Sequence, residues 1–232
     1  MKVLPKVSVI VLSRDGKQLP EGILNQDYKD MELIKCKSDY KIYTTRNKIV
    51  KKANGDFILW IDDDAKIKQK DLITNMVKTF LKLEKKYCKV GAIQARRPWK
   101  KIVGETDYVC EGCLMIRKDT QLKYPFDESF CIMWGDVDLS YRLRNDGYKL
   151  FVIPEAEYHH PYSKPTKLKG YFYVRNGIVM NKRYGSTPAM KVLKINGFDL
   201  TIWKWFFLLP FLIIRHRTIK VVKAFFDGLK MT

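Results

Sequence analysis

Three consecutive carboxylates, Asp62-Asp63-Asp64, follow the apolar run Phe57-Ile58-Leu59-Trp60-Ile61. Like charges this close repel and raise one another's pKa, so the cluster calls for a neutralising partner. A divalent cation with oxygen ligands supplies one, and the carboxyl end of a strand in an open α/β sheet is where ligands bind. A solvated acidic turn before a helix starting near Lys70 accounts for the same residues without a metal. A second constellation is Trp134-Gly135-Asp136-Val137-Asp138-Leu139-Ser140-Tyr141-Arg142-Leu143. Asp136 and Asp138 stand at a predicted helix start, where carboxylates cap free amides and complement the helix dipole. Asp138 lies four residues from Arg142, the spacing of a pair on one helical face, which leaves Asp136 free to point elsewhere.

Positioning these groups requires alternating strands and helices. Val7 to Leu12 is a β-branched run of the kind buried on both faces in a parallel sheet. The pattern then predicts a short helix over 19–26, a strand over 31–36, a helix over 45–53 ended by Asn54-Gly55, and a strand over 57–61. A helix over 70–86, a strand over 90–94, a loop over 95–105, a strand over 108–117, a helix over 136–144 and a strand over 149–153 complete it. This order argues for an α/β fold with a mostly parallel sheet. After His160 the chain becomes rich in Lys and aromatics and reads as helices with no clear strand.

Four segments run in the order found in one family: VSVIVLSRD, TTRNKIVKKANGDFILWIDDDAKI, WGDVDLSYRLRNDGYKLFVIPEAEYHH and GYFYVRNGIVMNKRYG. They resemble family-2 glycosyltransferases of the GT-A fold over roughly the first 185 residues, and within that family rhamnosyl- and galactofuranosyl-transferring enzymes. The resemblance implies a GT-A catalytic domain over 1–160, with a nucleotide-sugar half to about 66 and an acceptor half beyond it, followed by a helical region over 161–232. It implies that Asp62 and Asp64 form the DxD element that grips a donor diphosphate through Mn²⁺ or Mg²⁺, with Asp63 beside them in the donor site. Asp136 takes the position of the base that accepts the acceptor hydroxyl's proton in an inverting displacement. His160 matches a histidine that completes the metal site in some relatives, and imidazole suits Mn²⁺ better than Mg²⁺. His159-His160 also reads simply as two polar residues at a strand exit. Arg46 and Asn47 match an Arg-Asn element near the nucleotide. Arg46 could pair with phosphate or brace the loop, or form a surface ion pair. Ser13, Arg14 and Asp39 join the donor site by position, and Trp134, Gly135 and Asp138 the acceptor side.

The chain also departs from the family. Relatives usually carry Glu where Gly135 stands, so an acceptor contact is missing or replaced. The acidic residue that commonly reads uracil falls near Lys37-Ser38, which leaves UDP-, dTDP- and GDP-sugars all open. Cys110-Glu111-Gly112-Cys113 has no second pair at zinc-ligand spacing and reads as a strand beside the acceptor cleft.

Composition bounds the rest. A chain of 232 residues, 46% apolar, buries one main core. Five cysteines set mostly in apolar runs, and an N-terminus without a signal-peptide pattern, point to the cytosol. The net charge is +19, of which residues 161–232 carry +12 from fourteen Lys and Arg against Asp199 and Asp227. Ile202 to Ile214 is apolar but too short to span a bilayer, and the cation-rich stretch after it suits an interfacial helix beside anionic lipid, with Trp203 and Trp205 at the boundary. Packing on the catalytic domain or on a second subunit is the alternative. The expectation is a peripheral enzyme on the inner face of the cell membrane, with a glycan or lipid-linked glycan as acceptor. A nucleic-acid-binding protein would explain the charge but not the strand ahead of Asp62, so nucleic acid is not an expected partner. A sugar-nucleotide-binding relative without activity is the other rival, because of Gly135.

Overall fold

The structure is a computed structural model that describes residues 4–39, 41–99, 103–161, 166–185, 194–195, 198–199 and 201–231. The sequence readings at Met1 to Val3, at 100–102 of the predicted loop, and at 162–165 and 186–193 fall outside these. Seven strands form one sheet in the order β2-β1-β3-β6-β4-β7-β5. They are β1 (Val7–Ser13), β2 (Met31–Lys37), β3 (Phe57–Asp62), β4 (Val90–Arg96), β5 (Gly104–Thr106), β6 (Cys113–Arg117) and β7 (Lys149–Glu157). β1 pairs parallel with β2 and β3, and β4 with β7, while β6 is antiparallel to both β3 and β4. The five strands β1, β2, β3, β4 and β7 therefore share one direction, as expected, and β6 enters the middle of the sheet reversed. This reversal brings the start of β6 to the same sheet edge as the ends of β3, β4 and β7.

Alternation along the strands sorts side chains to the two faces. Val7, Val9, Val11, Phe57, Leu59 and Ile61 face one core. There α1 (Ile42–Val50) has no part, and α2 (Leu72–Lys86) covers the sheet with Leu72, Ile73, Met76, Val77 and Phe80, one stripe of a 3.6-residue period. Ile10, Ile58 and Trp60 face the other core, with α1, α4 (Gly135–Asn145) and the C-terminal helices α5 (Lys167–Tyr184), α6 (Thr201–His216) and α7 (Lys220–Lys230). A short helix α3 (Lys118–Lys123) follows β6.

Several predicted elements are shorter than expected. The helix predicted over 19–26 is a single 3-10 turn, Ile23–Asn25, entered through Gly22 at φ 85°, a left-handed conformation that does not propagate a helix. The strand predicted over 108–117 begins only at Cys113. Before it, the Val109 and Cys110 amides donate to the Ser140 hydroxyl (3.2 Å) and the Gln94 side-chain oxygen (2.8 Å) instead of to a strand ladder. Beyond 160, one two-residue pairing, β8 (Lys194–Ile195) with β9 (Phe198–Asp199), joins the helices.

The C-terminal helices bury one face against the main core through Val174, Ile178, Trp205, Leu209, Leu212, Val221 and Phe225. Trp205 is fully buried and its indole N–H donates to Asn181 Oδ1 at 2.7 Å, so it does not stand at a membrane boundary; Trp203 is exposed. No helix among the described residues is long and apolar enough to cross a membrane.

Candidate active site

Asp62 closes β3 on the face of Ile58 and Trp60, so strand alternation carries its carboxylate out over the sheet edge. His160 reaches the same place by a backbone link. The Lys66 amide donates to the His159 carbonyl at 2.8 Å and the His159 amide to the Lys66 carbonyl at 2.9 Å, tying the exit of β7 to the loop after Asp64. His160 Nε2 then lies 2.9 Å from Asp62 Oδ2 and 3.2 Å from Asp64 Oδ1. Two carboxylate oxygens and one imidazole nitrogen within 4.8 Å of one another make a half-buried donor set. Its mixed O,O,N chemistry and its open side fit Mn²⁺ or Mg²⁺. Asp63 is not part of the set, and burial with its two acidic neighbours raises its pKa. Burial pushes Asp62 upward too, but the hydrogen bond from His160 and the charge of Arg46 outweigh it and hold Asp62 below its ordinary value. The same hydrogen bond raises His160.

Arg46, expected near the nucleotide, is buried rather than a surface ion pair. Its guanidinium lies 3.9 Å from Asp62, contacts the Glu111 carboxylate, and stacks 5.0 Å from the Trp60 ring centroid and 5.5 Å from that of Phe126. It braces the floor of the cleft. Asn47 faces away, holding the backbone of Phe126 through its amide. The sequence reads Glu111 only within the Cys110-Glu111-Gly112-Cys113 segment and not as a site residue, although a lone acid inside the apolar run from Tyr108 to Ile116 is the available signal. Gly112 beside it has a steric reason: a Cβ there would come within 2.7 Å of the Tyr158 hydroxyl and 3.2 Å of Asp62 Oδ2. Only a glycine admits Asp62 at this approach.

Asp136 opens α4, and its Oδ1 accepts from the Val137 amide at 2.9 Å. Burial raises its pKa to about 6, against the pull of that amide and of Arg46. A carboxylate so placed is a competent proton acceptor near neutral pH. The loop leading to it is strained: Cys131, Met133 and Trp134 adopt φ of 60°, 64° and 71°, the left-handed region that non-glycine residues avoid. α5 holds it. The buried Asn176 amide donates to the carbonyls of Phe130, Ile132 and Met133 at 2.8 to 3.0 Å, and the Trp134 indole donates to the Tyr173 carbonyl at 3.1 Å.

One cavity of about 780 Å³ is lined by Asp62, His160 and Asp136, together with Tyr43, Arg97 and Trp134. Members of the metal-type donor set and the Asp136 carboxylate thus share one cleft. Two residues expected on its acceptor side do not line it. Asp138 is completely buried, accepting from Arg142 Nε at 2.8 Å, from the Tyr184 hydroxyl at 2.8 Å and from Arg183 at 3.3 Å. Its pairing with Arg142 is the one read from the four-residue spacing, and burial excludes it from contact with an acceptor. Gly135 faces the Tyr43 ring, which a Cβ there would overlap, and its amide donates to the Tyr43 hydroxyl at 3.0 Å. The space that a glutamate would need is filled from α1. Ser13, Arg14 and Asp39 also lie outside the cavity wall: the Ser13 hydroxyl donates to Asp15 at 3.0 Å, and Asp39 accepts from the Lys41 amide at 2.7 Å.

Comparison with solved structures finds GT-A transferases. A mannosyltransferase from Pyrobaculum calidifontis, in complex with GDP-Man and Mn²⁺, superposes with a TM-score of 0.59 at 14% identity, covering 96% of this chain and 74% of that one. GalNAc-T7 with UDP, GalNAc and Mn²⁺ gives 0.53 at 12% identity over 98% of this chain and 57% of its own. TarS of S. aureus gives 0.51 at 16% identity, with 76% of this chain spanning only 40% of TarS. These likenesses establish the fold. No curated protein sequence matches the chain. The profile of Glycosyl transferase family 2 matches residues 8–135, more than half of the chain and the stretch from β1 to the start of α4. The chain is therefore a member of glycosyltransferase family 2, an enzyme of the GT-A fold.

Proposed function

We propose that this enzyme moves a sugar from a nucleoside-diphosphate sugar to a hydroxyl of a glycan or glycolipid acceptor, with inversion at the anomeric carbon. The observation that carries this reading is the shared cleft: Asp62 and His160, two members of the Asp62, Asp64 and His160 donor set, line the same cavity as Asp136. Asp62, Asp64 and His160 would hold Mn²⁺ or Mg²⁺, whose chemistry when bound is to neutralise charge on the departing diphosphate. Asp136 takes the acceptor proton as the hydroxyl oxygen bonds to the anomeric carbon, and the electron pair of the broken bond leaves with the nucleoside diphosphate. Arg46, stacked on Trp60 and paired to Asp62, keeps the first aspartate oriented. Arg97, whose Nε donates to the Tyr158 hydroxyl at 2.8 Å, adds positive charge to the wall facing the donor. GDP-Man with Mn²⁺ in one structural neighbour, and UDP, GalNAc and Mn²⁺ in another, support a donor of this class, with UDP, dTDP and GDP as candidates for the nucleotide. Ser13, Arg14, Asp39 and Asp63 are candidates for donor contacts, reached when the nucleotide occupies the edge of β1 and β2.

Gly135 does not argue for an inactive relative, because Tyr43 occupies the vacated volume and hydrogen-bonds the loop at the same point. The reading extends to a cytoplasmic enzyme at the inner face of the cell membrane, supported by the exposed apolar residues of α6 beside the basic segment that follows it. The test is thermal shift with UDP-, GDP- and dTDP-sugars, with and without Mn²⁺, on wild type and Asp64→Ala. One nucleotide should stabilise the wild type only when the metal is present, and Asp64→Ala should lose that response. Equal binding with and without metal, and to Asp64→Ala, would refute the metal-site assignment.

A further inference from the structure

The cleft is longer than the metal set and Asp136. Its wall continues onto Lys169 and Tyr173 of α5 and onto Leu208, Phe211 and Arg215 of α6. α6 divides its apolar residues: Trp205, Leu209 and Leu212 are buried in the core, whereas Phe207 is 77% and Ile214 76% exposed. Leu208 and Phe211 belong to both regions, lining the cavity while standing 40% and 58% exposed. An apolar strip therefore runs out of the cleft onto the open face of the helix. Two cations, Lys169 and Arg215, stand in the cavity wall beside it, and neither α5 nor α6 contains an acidic residue.

Resting on the transferase reading of this cleft, we propose that the acceptor is a glycolipid in which phosphate or diphosphate joins the sugar to a long apolar chain. The sugar hydroxyl meets Asp136, the phosphate lies against Lys169 and Arg215, and the chain leaves across Leu208 and Phe211 onto α6. The lipid phosphate takes no part in bond making; the hydroxyl oxygen forms the new bond, its proton goes to Asp136, and nucleoside diphosphate departs. A soluble glycan would leave the exposed apolar strip uncovered. A bare anionic membrane surface would not call for cations inside the cavity that holds the proton acceptor. A phosphate anchored to an apolar chain satisfies both, because charge pairing and burial act on one molecule.

The experiment uses the full chain and farnesyl phosphate as probe, with farnesol, inorganic phosphate and phosphatidylglycerol vesicles as comparators. Calorimetry should show farnesyl phosphate binding at least tenfold tighter than farnesol or inorganic phosphate. Lys169→Gln combined with Arg215→Gln should weaken it at least tenfold, and Phe211→Ser should weaken it while leaving inorganic phosphate unaffected. The metal-dependent thermal shift with sugar nucleotides should stay intact in all these variants, which certifies folding and separates the two readings: its absence from the wild type would sink the donor assignment alone. The acceptor proposal is overturned if farnesyl phosphate binds no tighter than farnesol, or if the double variant binds it as wild type does. It is equally overturned if the double variant loses only vesicle binding, which would make the cations a headgroup patch.

Discussion

Replacing Asp136 by asparagine should sharply reduce turnover and stabilise the fold at the same time. Asparagine keeps the size of the side chain and an oxygen to accept from the Val137 amide. It removes a charge that burial disfavours. A folded-state pKa of about 6 against 3.8 means that the ionised form is penalised by ~3 kcal/mol at neutral pH. Asp136 keeps an open edge to the cleft, and solvent there screens the penalty to about 1–2 kcal/mol. In a chain of this size ~1 kcal/mol corresponds to about 2–4 °C in Tm, so Asp136→Asn should melt about 3–6 °C higher at pH 7.5. The sign follows from the raised pKa. The penalty is full above the folded value, shrinks as pH falls through about 6, and is gone below the unfolded value, so the Tm difference should close toward pH 4.

Catalysis moves the opposite way, since the proton acceptor must be ionised. Wild-type turnover should fall about tenfold from pH 7 to pH 5, and Asp136→Asn should cost about 10²- to 10⁴-fold at pH 7.5 with donor affinity unchanged. Differential scanning calorimetry across pH, paired with a sugar-transfer assay, reads both arms. A variant that loses turnover but melts lower than wild type at pH 7.5 would refute the reasoning, because the carboxylate would then be favourably held and structural. Full turnover in the variant would refute the assignment of the base.

Gly135→Ala should cost about 1–3 kcal/mol by overpacking against Tyr43, and Tyr43→Ala in the same chain should recover part of that loss; additive losses in a denaturant double-mutant cycle would contradict the contact. Asn176→Ala removes the amide that holds three carbonyls of the loop before Asp136, so kcat should drop by at least tenfold while metal-dependent donor binding persists; unchanged kcat would show that the loop keeps its shape unaided. Asp138→Asn should lower unfolding free energy by about 3–5 kcal/mol, since Arg183 and Arg142 would lose a buried counter-charge; loss of transfer at wild-type stability would instead make Asp138 a direct participant.

The readable parts of the site were those encoded by neighbours in the chain. The apolar run ahead of Asp62 specifies a buried strand, and a strand end specifies where its carboxylate goes. The four-residue spacing specifies the Asp138–Arg142 pair. His160 needed the family pattern, because the bridge from Lys66 to His159 that places it joins residues far apart in sequence. Trp205 shows the limit: a Trp beside apolar and basic residues reads as a membrane-boundary residue, and only the facing Asn181 reveals it as core. The antiparallel entry of β6 was equally hidden. Its strand signal spans more residues than the strand, because the amides of Val109 and Cys110 are satisfied by side chains from β4 and α4. Tyr43 could not be anticipated either, since nothing near Gly135 in sequence says that a ring from α1 fills its missing side chain.

The helices after Pro161 fix the loop before Asp136 through its backbone geometry. Three left-handed residues within four positions would each cost about 1–3 kcal/mol in a free loop, so the stretch from Cys131 to Trp134 needs an external partner to keep its shape. That partner is α5, through Asn176 and the Tyr173 carbonyl, and about two turns further on the same helix contributes Arg183 and Tyr184 to the carboxylate of Asp138. α5 thus grips α4 on both sides of Asp136, before it through the loop and after it through Asp138. α6 and α7 pack on α5 through Trp205, Val221 and Phe225. Any ligand that settles on the outer face of α6 would therefore bear on the element that holds the loop before Asp136, which gives the acceptor path proposed along that helix a mechanical link to the site.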